Sequence, residues 1–183
     1  MQINVNGTLM QKEVLFSEAD IRKRIKELAA LINADYGVEN TLVVLVILHG
    51  ALIFAADLIR NFNMPTEIET LRLKSYQGTQ STGNIQLVTD LPHDLAGKHV
   101  LIVEDIVDTG RSLQFLLQKL TGAGVASLKV CTLLDKPEAH ELSVKADYIG
   151  FEIGKQFVVG YGLDLDGKYR HLPYIANLVK QSA

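Results

Sequence analysis

The segment from Val100 to Leu113 constrains the fold more than any other part of the chain. It reads V-L-I-V-E-D-I-V-D-T-G-R-S-L. Its apolar, mostly β-branched start is typical of a strand that is buried on both faces. Leucines at positions 113, 116, 117 and 120 then follow with helical spacing. We therefore predict a strand, a short loop and a helix in this order.

The loop of this segment predicts an anion-binding site. Residues Asp108 to Ser112 place backbone N–H groups and hydroxyls at the N-terminus of the predicted helix, where the helix dipole and the unpaired amides favour a phosphate. Gly110 permits close approach of the backbone. Glu104 and Asp105 would repel a phosphate, and they suit sugar hydroxyls or a magnesium ion. On this pattern alone, an ordinary turn with acidic helix caps is the alternative interpretation.

The whole string resembles the phosphoribosyl-pyrophosphate signature of the type I phosphoribosyltransferases almost residue for residue. The resemblance implies that seven residues bind the phosphoribosyl group and its 5-phosphate: Glu104, Asp105, Asp108, Thr109, Gly110, Arg111 and Ser112. It also implies a magnesium cofactor, with Glu104 and Asp105 as metal ligands. For the reaction itself, Asp108 is the candidate catalytic base that takes a proton from the purine ring.

A second turn, Leu48-His49-Gly50, follows the apolar run that begins at Thr41 and precedes another helical pattern. In the hypoxanthine-guanine phosphoribosyltransferases a matching loop holds pyrophosphate, usually with lysine where His49 stands. The resemblance assigns His49, Gly50 and, much later, Arg170 to pyrophosphate. Histidine can donate a hydrogen bond but is mostly neutral at pH 7. The alternative is a histidine that only ends a strand.

The stretch from residue 73 to 84 is rich in Ser, Thr, Gln and Gly. This composition predicts a loop, and loops of this length in compact domains are often active-site lids. Its R-L-K-S-Y…S-T-G core is similar to the flexible loop of purine phosphoribosyltransferases. The resemblance implies that Ser75 and Tyr76 close over the reacting centre, and a plain surface loop is the alternative.

The purine site is predicted from two segments near the C-terminal end. Lys136 follows a predicted strand that spans residues 127–134, at an edge where ligands bind in open α/β sheets. The resemblance gives Lys136 the 6-oxo group of the purine, Phe157 the stacking contact and Val158 a backbone hydrogen bond to the base. It makes Asp164 either a second magnesium ligand or a purine-side carboxylate. Without the resemblance, Lys136 is a solvated turn lysine and Phe157 a core residue.

Strands and helices alternate from residue 41 to residue 134, which predicts an α/β fold with an open parallel sheet and helices on both faces. The resemblance implies the type I phosphoribosyltransferase fold. The length fits one domain over residues 1–183. We expect a core of roughly residues 38–140 and a small hood built from N-terminal residues and roughly residues 145–183. We assign no chemistry to Tyr174–Lys180, which packs or frays.

Composition excludes several classes of function. The net charge is −3, from 18 basic and 21 acidic residues, and this argues against non-specific nucleic-acid binding. The longest apolar run, Leu42 to Leu48, is far shorter than the ~20 residues that cross a membrane. The first residues lack a secretory signal pattern. The single cysteine, Cys131, allows no intrachain disulfide. We therefore expect a cytoplasmic protein with no nucleic-acid or membrane partner.

Together these features predict a purine salvage enzyme. It would transfer the 5-phosphoribosyl group from phosphoribosyl pyrophosphate to hypoxanthine, and to guanine, and release pyrophosphate. Three alternatives remain open: a xanthine-preferring transferase, a non-catalytic nucleotide-binding regulator of the same fold, and a receiver-type signalling domain. The last carries its acidic pair after the first strand and lacks D-T-G-R-S. The resemblance further implies a homodimer or homotetramer.

Overall fold

The computed structural model of the protein describes residues 2–5, 8–75 and 85–180. Ten strands are formed within these residues: β1 (Gln2–Val5), β2 (Thr8–Phe16), β3 (Leu42–Leu48), β4 (Thr66–Ser75), β5 (Ile85–Leu87), β6 (His99–Val107), β7 (Ser127–Asp135), β8 (Tyr148–Glu152), β9 (Val158–Val159) and β10 (Ile175–Lys180). The helices of the same residues are α1 (Glu18–Tyr36), α2 (Leu52–Ile59) and α3 (Arg111–Leu120). None of these helices is long and apolar enough to cross a bilayer.

Helix α1 shows how closely local sequence determines an element. Ser17 accepts a hydrogen bond from the Asp20 N–H at 3.2 Å, and the Asp20 carboxylate accepts one from the Ser17 N–H at 3.0 Å. The sequence itself predicts this capping box, because Ser17 is followed three positions later by Asp20, in place of the usual Glu, and then by apolar residues at helical spacing from Ile21 to Ile32. The helix ends at Gly37, which has a φ of +68°. The apolar face predicted from Ile21 to Ile32 is buried.

The core sheet has the strand order β5-β4-β3-β6-β7-β8. All neighbours in it are parallel except β5, which pairs antiparallel with β4. Helices α1 and α2 pack on one face of the sheet and α3 packs on the other, so each face has its own apolar core. The predicted α/β fold class, with a parallel sheet flanked by helices, is confirmed.

A gap opens between the two central strands at their carboxyl ends. Strands β3 and β6 pair from Leu42↔His99 to Val46↔Val103, and each then continues without pairing to the other. Strand β6 runs on to Val107, so the acidic pair lies within the strand. The sequence had suggested instead that the pair follows the strand. In open α/β sheets, ligands bind in a crevice outside the carboxyl ends of the strands. The gap therefore marks where a ligand is expected.

A second sheet covers one end of the core sheet and forms the hood. It is antiparallel, with the order β1-β2-β10-β9. The segment Tyr174–Lys180, for which we predicted only that it packs or frays, contains β10, which lies between β2 and β9 and pairs with both. Two further differences concern extent. Strand β9 is shorter than the strand predicted at residues 156–161, and β8 extends the core sheet past residue 140.

Candidate active site

The loop at residues 108–112 borders a cavity of about 240 Å³. The cavity is lined by residues of β6, the loop and the first turn of α3, namely Glu104, Ile106, Val107, Asp108, Thr109, Gly110, Ser112 and Leu113. Helix α3 begins immediately after Gly110, and among the described residues no side chain caps it. The Arg111 N–H donates to the Thr109 hydroxyl at 3.4 Å, and the N–H groups that follow it in the first turn remain available to an anion in the cavity.

Gly110 is required at this turn for two reasons. Its φ of +81° is disfavoured for residues with a Cβ atom, and a Cβ built there would collide with a Val144 methyl group. Val144 belongs to a segment that Arg111 holds in place. The Arg111 guanidinium binds the Glu141 carboxylate through Nε at 2.8 Å and Nη2 at 2.5 Å, and the Glu141 N–H donates to the Thr109 carbonyl at 3.0 Å. Arg111 thus offers the cavity its backbone, while its side chain is engaged by Glu141.

Glu104 and Asp105 form a coupled acidic pair in the gap between β3 and β6. Burial, with a smaller effect from the charge of Asp105, raises the pKa of Glu104 well above its usual range. Burial also raises the pKa of Asp105 to about 6, although nearby backbone N–H groups, Glu104 and Arg170 oppose the rise. Two partly buried carboxyl groups in hydrogen-bonding contact share a proton unless a cation compensates their charge.

The Asp105 carboxylate also lies directly over Gly50. A Cβ atom at Gly50 would overlap it, so the second turn must carry glycine at this position. The structure therefore brings together two predicted motifs that are far apart in sequence. His49 is exposed, and the peptide bond that precedes it is cis. Its pyrophosphate role stays a prediction.

Lys136 is buried beside the predicted catalytic base. Its side chain is only 9% exposed, whereas the side chain of Asp108 is 51% exposed, and the ammonium donates to the Asp108 carboxylate at 3.0 Å. The Lys136 N–H also donates to the Val107 carbonyl at 2.9 Å. Lys136 is therefore neither solvated nor a simple turn residue. Its predicted contact with a purine oxygen would be made at the edge of the phosphate loop.

A hairpin from Gly160 to Arg170 reaches the same gap from the hood. Gly162 has a φ of +101° and packs against the Gly50 carbonyl, where a Cβ atom would collide. Arg170 donates to the Gly162 carbonyl at 2.6 Å and pairs with Asp164 at 2.7 Å. Because the Arg170 charge lowers the pKa of Asp105, the guanidinium acts on the acidic pair as well.

The structure pairs Asp164 with Arg170, whereas the resemblance assigned Asp164 to magnesium or the purine and Arg170 to pyrophosphate. Asp164 binds Arg170 and also accepts a hydrogen bond from the Gly167 N–H at 2.7 Å. Across residues 2–5, 8–75 and 85–180, no three His, Cys, Asp or Glu side chains form a metal-binding cluster. Asp164 therefore does not share a metal-binding cluster with Glu104 and Asp105.

The two predicted base-contacting residues lie at the start of the hood's edge strand: Phe157 directly precedes β9, and Val158 is its first residue. Phe157 is 51% exposed, so a face of its ring is accessible for stacking. The Leu178 N–H donates to the Phe157 carbonyl at 2.9 Å, and Val158 lies opposite Asn177. The hydrogen bond between Leu178 and Phe157 makes Val158 and Asn177 a non-hydrogen-bonded pair of the antiparallel ladder. In such a pair the backbone N–H and C=O of each residue point away from the partner strand. The N–H and C=O of Val158 therefore face the open edge of the sheet.

The predicted lid falls largely beyond what the structure describes. Ser75 is the last residue of β4, and Tyr76 lies outside the described residues. Sequence reasoning also missed several side-chain contacts around the site. They are the pairs Lys136–Asp108, Arg111–Glu141, His140–Asp135 and Tyr161–Asp57. Three of these pairs join residues that are 28, 30 and 104 positions apart, so no local pattern could have indicated them. The fourth, His140–Asp135, spans only five positions, across the turn that contains Lys136.

The loop at residues 108–112, the acidic pair and the Gly50 turn, which the resemblance to the type I phosphoribosyltransferases singled out, thus lie near one another at the carboxyl ends of β3 and β6. Comparison with known proteins agrees. The family model described as the phosphoribosyl transferase domain matches residues 13–166, and the chain belongs to this family.

Particular relatives within the family are close. The chain is 46% identical over 171 residues to the hypoxanthine phosphoribosyltransferase of Haemophilus influenzae, covering 91% of this chain and 95% of the relative. It is 43% identical over 173 residues to the hypoxanthine-guanine phosphoribosyltransferase of Mycobacterium tuberculosis, covering 91% and 86%. A crystal structure of a Bacillus anthracis hypoxanthine-guanine phosphoribosyltransferase superposes with a TM-score of 0.86 at 42% identity, covering 92% of this chain and 99% of that one.

Proposed function

We propose that this chain transfers the 5-phosphoribosyl group of phosphoribosyl pyrophosphate to hypoxanthine, and to guanine, and releases pyrophosphate. One observation carries the proposal. At a single edge of the core sheet, an uncapped helix N-terminus, a buried lysine on a carboxylate and an arginine beside an acidic pair surround one crevice. The curated relatives at 40–46% identity carry the names of hypoxanthine and hypoxanthine-guanine transferases, which supports the choice of base.

The phosphoribosyl end binds at β6 and α3. The backbone N–H groups of residues 109–112 hold the 5-phosphate, since they are the orphan donors of an uncapped helix. Glu104 and Asp105 bind the ribose hydroxyls. The pyrophosphate lies toward Gly50 and Arg170. Gly50 packs against the Asp105 carboxylate, and the Arg170 charge lowers the pKa of Asp105. Exposed His49 supplies a hydrogen bond to the pyrophosphate in place of the usual lysine.

The acidic pair fits a divalent metal, which we propose to be magnesium. Its two carboxylates are held in contact in a partly buried position where their joint ionisation is unfavourable, and a cation relieves this cost. Magnesium is commonly held by one or two carboxylates together with substrate phosphates, so a two-carboxylate site suffices. When bound, it would offset the charge that develops on the departing pyrophosphate. Asp164, paired with Arg170, would act on a second ion or on the purine side.

The purine binds between the hood and Lys136. Phe157 stacks on the ring, and the outward-facing backbone of Val158 hydrogen-bonds its edge. The ammonium of Lys136 donates to the 6-oxo group, which disfavours adenine because its amino group donates instead of accepting. In the free protein the same ammonium binds Asp108. The incoming oxygen draws Lys136 away from Asp108, and the freed carboxylate takes the proton from the purine ring.

No protein nucleophile is needed for this transfer. The transition state resembles an oxocarbenium ion at the anomeric carbon, so the protein contributes placement of the two substrates, charge compensation and a proton acceptor. Ser75 and Tyr76 are proposed to close over the reacting centre and exclude water.

The oligomeric state and location are also proposals. We propose a homodimer or homotetramer, to be checked by light scattering on the purified protein. A similar structure from Trypanosoma cruzi, with a TM-score of 0.86 and 42% identity, concerns how a C-terminal region affects the oligomeric state of that transferase. We place the protein in the cytoplasm, in keeping with its single cysteine, which is buried and free.

A panel of four bases tests the proposal. The purified chain is assayed with phosphoribosyl pyrophosphate and magnesium against hypoxanthine, guanine, xanthine and adenine. We expect the highest kcat/KM with hypoxanthine, activity with guanine and little with adenine. A preference for xanthine would replace the proposed substrate, and binding of nucleotide without turnover of any base would instead indicate a regulator.

A further inference from the structure

A partly buried hydrogen bond links the hood to the helix that follows the Gly50 turn. The phenol of Tyr161 donates to the Asp57 carboxylate at 2.5 Å, and Tyr161 is 6% exposed within the main core cluster. Burial raises the pKa of the Tyr161 phenol above its usual value, and the bond to Asp57 acts in the same direction. The phenol is therefore a donor at every pH at which the enzyme would work.

Both ends of this bond are connected to the side of the crevice assigned to pyrophosphate. Asp57 lies in α2, which begins two residues after Gly50. Tyr161 directly precedes Gly162, whose Cα packs on the Gly50 carbonyl and whose own carbonyl accepts from Arg170. The hairpin thus touches the Gly50 turn at Gly162 and is bonded to the helix behind that turn at Tyr161.

We infer that Tyr161 and Asp57 are positioning residues for phosphoribosyl pyrophosphate, because their hydrogen bond holds Arg170 in register with the Gly50 turn. The inference rests on the proposed function. Its consequence is selective. The 5-phosphate loop follows β6, and the stacking residue Phe157 is held by β10, so neither depends on this bond. Loss of the bond should therefore weaken binding at the pyrophosphate end and spare the nucleoside monophosphate.

The test uses Tyr161→Phe with Tyr148→Phe as a matched control. Tyr148 is also 6% exposed and also donates to a carboxylate, that of Asp35, at 2.6 Å. It lies at the start of β8, at the edge of the core sheet opposite the crevice. Calorimetry is run with phosphoribosyl pyrophosphate and, separately, with inosine monophosphate, at fixed magnesium, alongside steady-state kinetics. Thermal unfolding is measured for both variants.

For Tyr161→Phe we expect the Kd and KM for phosphoribosyl pyrophosphate to rise about tenfold, with the Kd for inosine monophosphate changed less than about twofold. Tyr148→Phe should lose similar thermal stability and change neither affinity. Asp57→Asn keeps an acceptor oxygen and should retain most of the affinity that Asp57→Ala loses. The double variant Tyr161→Phe/Asp57→Ala should be no worse than either single change.

Three outcomes would overturn the inference. They are unchanged affinity for phosphoribosyl pyrophosphate in Tyr161→Phe, a parallel loss of affinity for inosine monophosphate, and an equal effect of Tyr148→Phe. The first of these, seen in a chain whose wild type turns over hypoxanthine, overturns the positioning role alone. A wild type that binds no phosphoribosyl pyrophosphate overturns the proposed function together with it.

Discussion

Replacing Lys136 with methionine separates the role of this residue in binding from its role in stability. The side chain is 9% exposed, while its partner Asp108 is 51% exposed. Methionine removes the buried charge and leaves behind a carboxylate that water can solvate. We expect the free energy of unfolding to change by no more than about 1 kcal/mol, since replacing a buried charge by an apolar group of similar volume is often neutral. Asp108→Ala should cost more, because it leaves the buried ammonium of Lys136 without its charged partner.

The kinetic effect of Lys136→Met should be large despite the small change in stability. A hydrogen bond to a charged group contributes about 1.5–3 kcal/mol, and each 1.4 kcal/mol is a factor of ten. We therefore expect kcat/KM for hypoxanthine to fall by about 10- to 100-fold. Activity with adenine should fall far less, because adenine has no 6-oxo group to lose, so the preference for hypoxanthine over adenine should narrow.

Lys129→Met is the matched control for this change. Lys129 binds the Asp35 carboxylate at 2.7 Å and lies in β7, seven positions before Lys136, which directly follows that strand. At about 3.3 Å for each residue, the two lysines are separated by about 23 Å along the strand. Its replacement should leave kcat/KM for hypoxanthine within about twofold of wild type. If Lys136→Met folds and its kcat/KM for hypoxanthine falls by less than about threefold, Lys136 does not bind the 6-oxo group.

Three further changes test the rest of the site. Asp108→Asn should lower turnover by about 10²- to 10⁴-fold while calorimetry shows retained binding of phosphoribosyl pyrophosphate; near-normal turnover would remove Asp108 as the base. Gly110→Val should abolish that binding, because the side chain meets Val144 and the φ of +81° disfavours it; unchanged affinity would contradict the phosphate-loop assignment. Asp105→Asn should raise the melting temperature of the ligand-free protein at pH 8 more than at pH 4; an equal effect at both would mean that the acidic pair is not the cause.

The sign of the last effect follows from the pKa of Asp105, which folding raises from its ordinary value of 3.8 to about 6. Between these values the folded chain binds more protons than the unfolded chain, so its stability falls as the pH rises through about 6. Glu104 acts in the same direction, because its pKa is raised as well. Asparagine removes the cost of ionising Asp105. At low pH both states are protonated and the benefit disappears.

Elements that depend on neighbours in sequence were predictable. Ser17 and Asp20 form the predicted cap because both hydrogen bonds lie within one helical turn. Strand β6 and helix α3 were predicted from an apolar run and a leucine spacing that each element contains within itself. The strand β10 was not predicted. Its sequence, I-A-N-L-V-K, has weak alternation, and its partner β2 lies about 160 positions earlier in the chain, so local periodicity carries no trace of the pairing.

The same distinction between local and long-range features applies to the candidate site. Gly110 was predicted as a close-approach position and Gly50 as part of a pyrophosphate turn, but the groups that approach these two glycines were not predicted. They are the Asp105 carboxylate and the Val144 methyl group, and each belongs to a different segment of the chain. Likewise, Asp108 and Lys136 were assigned to separate substrate groups, and their ion pair depends on the register of β6 against β7. Residue types report local chemistry, while partners are determined by sheet register.

The crevice collects features that each reduce the stability of the free protein. Two carboxyl groups with raised pKa values share the gap, and Lys136 is buried beside Asp108. Gly162 and Gly50 pack so closely that neither position can carry a side chain. Where local rules are broken together at one place, the compensation is expected from a ligand. Here a cation, a phosphate and a 6-oxo group would each relieve one of these costs, so substrate binding should raise the stability of the protein as well as align the reaction.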